Sequence, residues 1–313
     1  MIRIGVVDID ISHPKAFAEY LKGANRARYA AVFNEGFRTD EEVAGFVRNY
    51  GLDKRCDSIQ ELADLVDIGF LQTCNWDKRL RQAMPFIERG KPVFLDKPLV
   101  GSMADCKKLE ELAAKGAVIL GSSSVRYAEE VADFVAKPEE EVGKILNIFG
   151  TAGVDEFNYA VHIVEAIGGI LTGAVSTRFV GSSEADGKIC EQFFVRFASG
   201  ATATYNTCQG FWQPFEMVIM ATKGTFQFRV DTNKIYGVLL DRICDYMETG
   251  ENKLGSIDAL TESVKIMLAG RISREKGGAE IKLADIPADD LGYDGDLFEK
   301  GYAAAGKGST LYL

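Results

Sequence analysis

The first 121 residues alternate short apolar runs with amphipathic stretches of about ten residues, and few folds admit that pattern. Residues 2–9, 29–33, 67–73, 92–95 and 118–121 read as strands; 15–23, 40–50, 58–65, 77–89 and 102–115 read as helices. Ser58 with Glu61 has capping-box spacing, and Gly51 and Gly90 stand where helices end. Strand and helix in strict alternation predict a doubly wound parallel sheet, whose ligands sit beyond the carboxyl ends of the strands. Asp96-Lys97-Pro98 falls at such an end. Pro98 holds Lys97 extended. A lysine there can donate hydrogen bonds to a substrate oxygen, and by residue type alone it can equally be a solvated turn residue.

The pattern changes near residue 122. Two helical stretches, 128–136 and 159–167, flank a strand at 144–151. Strand-like runs then follow one another at 174–180, 189–197, 201–208, 215–221 and 225–230, with Ser199-Gly200 as a hairpin signal. Successive strands without intervening helices predict an antiparallel sheet. Helices at 235–248 and 256–273 close it. The fold class is therefore α/β. A Rossmann-type domain spans 1–121 and a second α/β domain spans 122–287. The tail, 288–313, is rich in Gly, Ala and Asp and reads as loop or as an arm over a neighbour.

A net charge of −10 argues against nucleic acid or an anionic membrane as main partner. No apolar stretch is long enough to span a bilayer. The start runs straight into a strand without a leader, and six cysteines without a Cys-x-x-Cys pair suit reduced core thiols, so a cytoplasmic location is expected.

Several stretches, in order, resemble the glucose-fructose oxidoreductase, inositol dehydrogenase and rhizopine-catabolism (Gfo/Idh/MocA) family. Asp96-Lys97-Pro98 is similar to its Glu-Lys-Pro, and Thr73-Cys74-Asn75 to its Thr-Pro-Asn. Arg126-Tyr127 resembles the start of its second domain, and Asn158-x-x-x-His162-x-x-Glu165 its Asp-x-x-x-His-x-x-Asp helix. Thr222-Lys223-Gly224-Thr225 resembles a turn in its large sheet. The resemblance implies a large, mostly antiparallel open sheet in the second domain, through which members pair as homodimers or homotetramers. It implies hydride transfer between NAD or NADP and a hydroxyl-bearing carbon of a sugar, cyclitol or related polyol. It places Lys97 and His162 in catalysis, and Asn158, Tyr159 and Arg126 at the substrate. It places Asp8, Asp10, Ser12, His13, Asn34, Thr73, Asn75, Asp96 and Pro98 at the cofactor. Read from helix spacing alone, His162 could be a core histidine, since Ala160, Val161, Ile163 and Val164 surround it. Tyr159 could be core and Trp76 either packing or a flank of the nicotinamide. Asn158, unlike Asp, takes no proton, so it would orient the substrate or His162.

The sequence departs from the family at the first turn. Asp8, Asp10 and His13 stand where its three glycines belong. One carboxylate about 5 Å from a phosphate costs roughly 3 kcal/mol at an effective dielectric near 20. Ser12, His13 and Lys15 at a helix start could offset part of that. Asn34 replaces the usual ribose-binding Asp, and Arg38 could meet a 2′-phosphate or be solvated. Three accounts are open: an altered turn that still holds NAD(P), a lost or reshaped cofactor site, and a metal site of two carboxylates and a histidine. The rivals to an oxidoreductase are a non-redox binding or regulatory protein and a lyase or hydrolase that recycles tightly held NAD.

Overall fold

The structure is a computed structural model and describes residues 1–305. The first domain runs β1 (Ile2–Val7), α1 (His13–Ala24), β2 (Ala27–Phe33), α2 (Asp40–Tyr50), β3 (Lys54–Arg55), α3 (Ile59–Leu65) and β4 (Ile68–Leu71), then α4 (Trp76–Ile87), β5 (Val93–Asp96), α5 (Met103–Ala114) and β6 (Ile119–Ser122). The strands form one parallel sheet in the order β3-β2-β1-β4-β5-β6. Every residue of β4, β5 and β6 is buried, which explains their continuous apolar runs: helices cover both faces. The helix starts are fixed locally. Thr39 and Glu42 form a capping box on α2, and Ser58, Asn75 and Ser102 cap α3, α4 and α5. Strand order reverses between β1 and β4, so the crevice for a ligand opens at their carboxyl ends. Residues 8–13 and 73–75 lie there.

The second domain comprises α6 (Glu129–Val135), α7 (Glu139–Val142), β7 (Ile145–Ala152), α8 (Ala160–Ile170), β8 (Ala174–Ala185), β9 (Lys188–Phe197), β10 (Thr202–Gln209), β11 (Glu216–Ala221) and β12 (Gly224–Arg229). It continues with α9 (Ile235–Thr249), α10 (Ile257–Glu275) and β13 (Ile281–Lys282). Its sheet has the order β12-β11-β7-β10-β9-β8-β13 and is antiparallel except for the β7–β10 pair. The hairpin at Gly200 has the left-handed backbone, φ 87°, that glycine permits. Phe193, Val195 and Phe197 are buried in the main core cluster with residues of α8 and α10. The opposite face stays open, and across it Val218 pairs with Phe149, Phe149 with Thr204, and Thr204 with Phe194. Alternation along β9 thus marks one core face and one half-buried face.

One expectation is overturned in the tail. Gly295–Ala305 is a helix, α11, not a loop. It lies over the first domain of its own chain: Phe298 packs on Trp76, and Tyr302 on Phe37. Glycines and aspartates hid an aromatic pair four residues apart, the spacing of one helix face. Residues 306–313 of the expected tail lie outside the described residues. No helix among the described residues is long and apolar enough to cross a membrane.

Candidate active site

The turn after β5 is built around Arg79 of α4, which is fully buried. Its guanidinium donates to the carbonyls of Thr73 (2.8 Å) and Lys97 (3.1 Å), and also to those of Asp96 and Pro98. The ends of β4 and β5 are thereby locked together, and Lys97 leaves its strand toward the second domain. Its ammonium donates to the backbone oxygen (3.0 Å) and side-chain oxygen (2.8 Å) of Asn158, and lies 5.3 Å from the centre of the Tyr159 ring. Burial pulls the Lys97 pKa down to about 8, against the opposing pull of Asp96 and Asp155. Asn158 thus orients Lys97. It does not orient His162.

His162, on α8, is oriented by Ser123: its Nδ1 is 2.7 Å from the hydroxyl. Burial, with Lys97 and His13 nearby, holds its pKa well below 6.5, so the ring is neutral. The other face of the site is the start of α1. There His13 places Nδ1 2.8 Å from the Asp96 carboxylate, and its ring packs on Phe17 and Tyr236. Asp96 also accepts the Lys97 backbone N–H at 2.7 Å. Burial acts to raise the Asp96 pKa, but His13, Arg79 and Lys97 outweigh it and hold the carboxyl below its ordinary value.

Lys97, His13 and His162 line one cavity of about 170 Å³, together with Ser12, Asn158 and Tyr159. Phe215, Trp212, Tyr236 and Tyr302 supply its apolar walls. A roomier groove of about 530 Å³ lies around α6, α7 and the start of β7, but its charged side chains are two lysines and one glutamate. The acid–base groups are in the smaller cavity.

Other expected site residues go elsewhere. Arg126 is buried against α8, donating to the carbonyls of Gly168 (2.8 Å) and Glu165 (3.3 Å); it does not line the cavity and is not placed to meet substrate. Trp76 is packing, 5.0 Å from the Phe157 ring, with its indole N–H on the Tyr293 carbonyl. Asn34 holds its own loop, accepting from the Ile9 N–H. Thr73 accepts from the Asn75 N–H. Asn75 caps α4 and donates to Asp296 (2.7 Å) and Glu299 (2.9 Å) of α11. Arg38 donates to the Asp10 carbonyl at 2.6 Å. Sequence reading missed Arg79, Ser123 and Tyr236, whose roles depend on contacts between distant segments. Arg79 alone had a local signal, a lysine- and arginine-rich helix that must pack against a buried sheet.

The first turn has been rebuilt. Asp8 adopts φ 64°, the left-handed backbone of the glycine it replaces, and its carboxylate accepts the N–H groups of Glu35 (2.7 Å) and Gly36 (3.0 Å) and the Gln82 amide (2.9 Å). Asp10 is fully buried. A Cβ built on Gly36 would lie 2.2 Å from its carboxylate, so that glycine is needed to make room. The Cys74 backbone and thiol face the carboxylate, yet neither of its oxygens has a hydrogen-bond partner of ordinary geometry. The metal account on Asp8, Asp10 and His13 fails, because Asp8 turns to the loop after β2 and His13 to Asp96. Asp10 instead gathers with Cys74 and Glu299, their ligand atoms within 4.8 Å of one another, while Glu299 is paired with Lys78 at 2.8 Å.

A two-domain α/β protein with a Rossmann-type sheet and an acid–base cavity at its carboxyl ends is the class these features define. Residues 2–124 match the model of the oxidoreductase family with an NAD-binding Rossmann fold (GFO_IDH_MocA), so this part of the chain is similar to a family that binds NAD. No curated protein matches the sequence. An oxidoreductase from Thermotoga maritima superposes with a TM-score of 0.75 at 18% identity, covering 91% of this chain and 99% of its own. A scyllo-inositol dehydrogenase from Lactobacillus casei, solved with NAD(H) and scyllo-inositol, has a TM-score of 0.76 at 13% identity, covering 91% and 100%. Biliverdin reductase from Synechocystis sp. PCC 6803, solved with biliverdin and NADP+, gives 0.66 at 15%, covering 88% and 98%. At these identities the likeness is one of fold.

The dinucleotide that the family implies meets a partly filled cleft. The start of α1 and the ends of β4 and β5 keep a seat for it. Between them, the Asp10 side chain takes the space that glycine leaves open. Above it, Ile11, Cys74 and Tyr302 form a small apolar cluster joined by Phe37 and Phe298. The cavity at Lys97, about 170 Å³, is below the roughly 300–1,000 Å³ of ordinary small-molecule sites, and the pocket of about 340 Å³ at Ile9, Lys15 and Arg38 is separate from it. With α11 seated, the cleft does not fit a dinucleotide.

Proposed function

We propose that the chain is an oxidoreductase acting on a hydroxyl-bearing carbon of a small polyol, cyclitol or sugar in the cytoplasm, with NAD(P) entering only when α11 is displaced. The observation that carries this reading is the convergence of Lys97, His162 and His13 on one cavity at the carboxyl ends of the sheet. A substrate hydroxyl seated there meets the Lys97 ammonium, which stabilises negative charge growing on oxygen. The imidazoles supply acid–base capacity beside it. Asn158 and Tyr159 hold Lys97 from two sides and give the substrate polar and aromatic walls. The aromatic side chains reduce water in the cavity, which strengthens each of these interactions.

The filled first turn favours a second reading, a cofactor-independent member that moves protons on the same class of substrate. Titration of the full chain with NADH and NADPH by fluorescence and calorimetry separates the two. Saturable binding, with NAD(P)-linked turnover of a polyol, supports the first. Absence of binding even in a variant with α11 loosened supports the second. On the substrate so found, Lys97→Ala and His162→Ala should each lower kcat by roughly a hundredfold or more. Near-normal kcat in either, with the fold intact by circular dichroism, removes that residue from the mechanism.

A further inference from the structure

The cavity holds two imidazoles, and hydrogen-bond accounting assigns them opposite roles. Asp96 is fixed as an acceptor: it is buried, takes the Lys97 N–H at 2.7 Å, and lies near Arg79 and Lys97. The His13 Nδ1 beside it, at 2.8 Å, must therefore carry the proton. In the neutral ring this leaves the lone pair on Nε2. For His162 the partner is different in kind. The Ser123 oxygen already accepts the Val125 N–H at 3.2 Å, and its hydroxyl is wholly buried. Among the described residues, the one acceptor for that hydroxyl proton is His162 Nδ1, at 2.7 Å. If Nδ1 carried the proton instead, the serine O–H would be a buried donor without a partner, which costs about 1–3 kcal/mol. The neutral His162 ring therefore carries its hydrogen on Nε2. Neither Nε2 makes a hydrogen bond to a described residue, and both rings line the cavity.

We infer that His13, oriented by Asp96, is the base of this site, and that His162, oriented by Ser123, is a hydrogen-bond donor beside Lys97. The inference rests on the proposed acid–base chemistry at a substrate hydroxyl and divides its labour. The O–H bond of the substrate breaks, its proton passes to Nε2 of His13, and the electron pair stays on oxygen. That oxygen is then held by the Lys97 ammonium and the His162 N–H. The imidazolium formed on His13 is stabilised by Asp96, the same service a buried carboxylate gives any histidine base. His13 stands in place of a family glycine, so this base belongs to a chain whose first turn has been rebuilt.

The chain contains only two histidines, which makes the test direct. Long-range proton–nitrogen correlation spectra of the full-length, 15N-labelled protein at pH 8, without substrate or cofactor, report the protonation of all four ring nitrogens. His13→Gln assigns the two rings. The expected result is His13 protonated on Nδ1 and His162 on Nε2. In Ser123→Ala, His162 should lose its preference, and in Asp96→Asn, His13 should shift toward the Nε2–H form. The inference is overturned if the two tautomers are exchanged, if both rings share one tautomer, or if His13 is still an imidazolium at pH 8. Because the spectra need no turnover, they fail or succeed independently of the proposed reaction. Once a substrate is known, His13→Gln should lower kcat by about a hundredfold or more with little change in KM.

Discussion

Replacing Asp10 by asparagine should stabilise the protein at high pH and leave it nearly unchanged at low pH. Burial, then the charges of Asp8 and Glu299, push the Asp10 carboxyl from 3.8 up to about 7. The groups facing it are Asp8, Cys74 and Glu299, with Lys78 tied to Glu299 and Arg38 bound to the Asp10 carbonyl. The folded state therefore holds a proton that the unfolded chain releases near pH 4. The stability linked to this group is fully present below about pH 4, falls as pH rises, and is lost above about pH 7. A rise of about three pKa units at about 1.4 kcal/mol each sets a ceiling of about 4 kcal/mol. Since Asp8 and Glu299 share the interaction, about 2 kcal/mol is expected. The asparagine side chain keeps the shape of the aspartate without its charge. Urea unfolding of wild type and Asp10→Asn at pH 5 and pH 8 gives a double difference in which titrations not coupled to Asp10 cancel. The variant's advantage should grow by about 1.3 kcal/mol between the two, because over a third of the effect is already present at pH 5. An advantage that is the same at both pH values, or larger at pH 5, would refute the reasoning.

Two further outcomes follow from the same structure. Phe298→Ala with Tyr302→Ala should loosen α11 and tighten NADH or NADPH binding at least tenfold, with faster amide exchange across residues 295–305; tight wild-type binding with no gain in the variant removes α11 from the cofactor cleft. The open face of the second sheet, with Phe149, Phe194 and Val218 in register, should pair two copies of the chain, so sedimentation should give an oligomer at micromolar concentration and Phe194→Glu a monomer; a wild-type monomer sinks that reading.

The parts legible in the sequence were those set by local periodicity. Continuous apolar runs marked β4 and β5, and a capping-box pair marked the start of α3. Lys97 was legible because a strand end and a following proline fix its position. His162 was legible only as a helix residue with a resemblance behind it. What orients each of them was not. Asn158 binds Lys97 across 61 residues, and Ser123 binds His162 across 39. Arg126 misled because a buried arginine serves carbonyl groups as well as it serves a substrate. Trp76 was left between packing and the nicotinamide because the segment that covers its indole lies 217 residues away.

The first turn shows why composition of a motif underdetermines its use. Asp8, Asp10 and His13 suggested a damaged phosphate turn or a metal site, both of which treat the three as one unit. In the structure they part company. Asp8 mimics the backbone of its glycine and uses its carboxylate to hold the loop after β2. His13 joins Asp96, 83 residues along the chain and beyond any local signal, and turns the start of α1 into part of the acid–base cavity. Asp10 alone remains in the cleft, buried, short of hydrogen bonds and beside Glu299 of α11. A charged group in that position gains stability from a proton while α11 is seated, and from water or a counter-charge when it is not. The residue that most opposes a dinucleotide is thus also the one whose burial depends on the helix that covers the site, so the charge on Asp10 and the seating of α11 are two readings of one equilibrium.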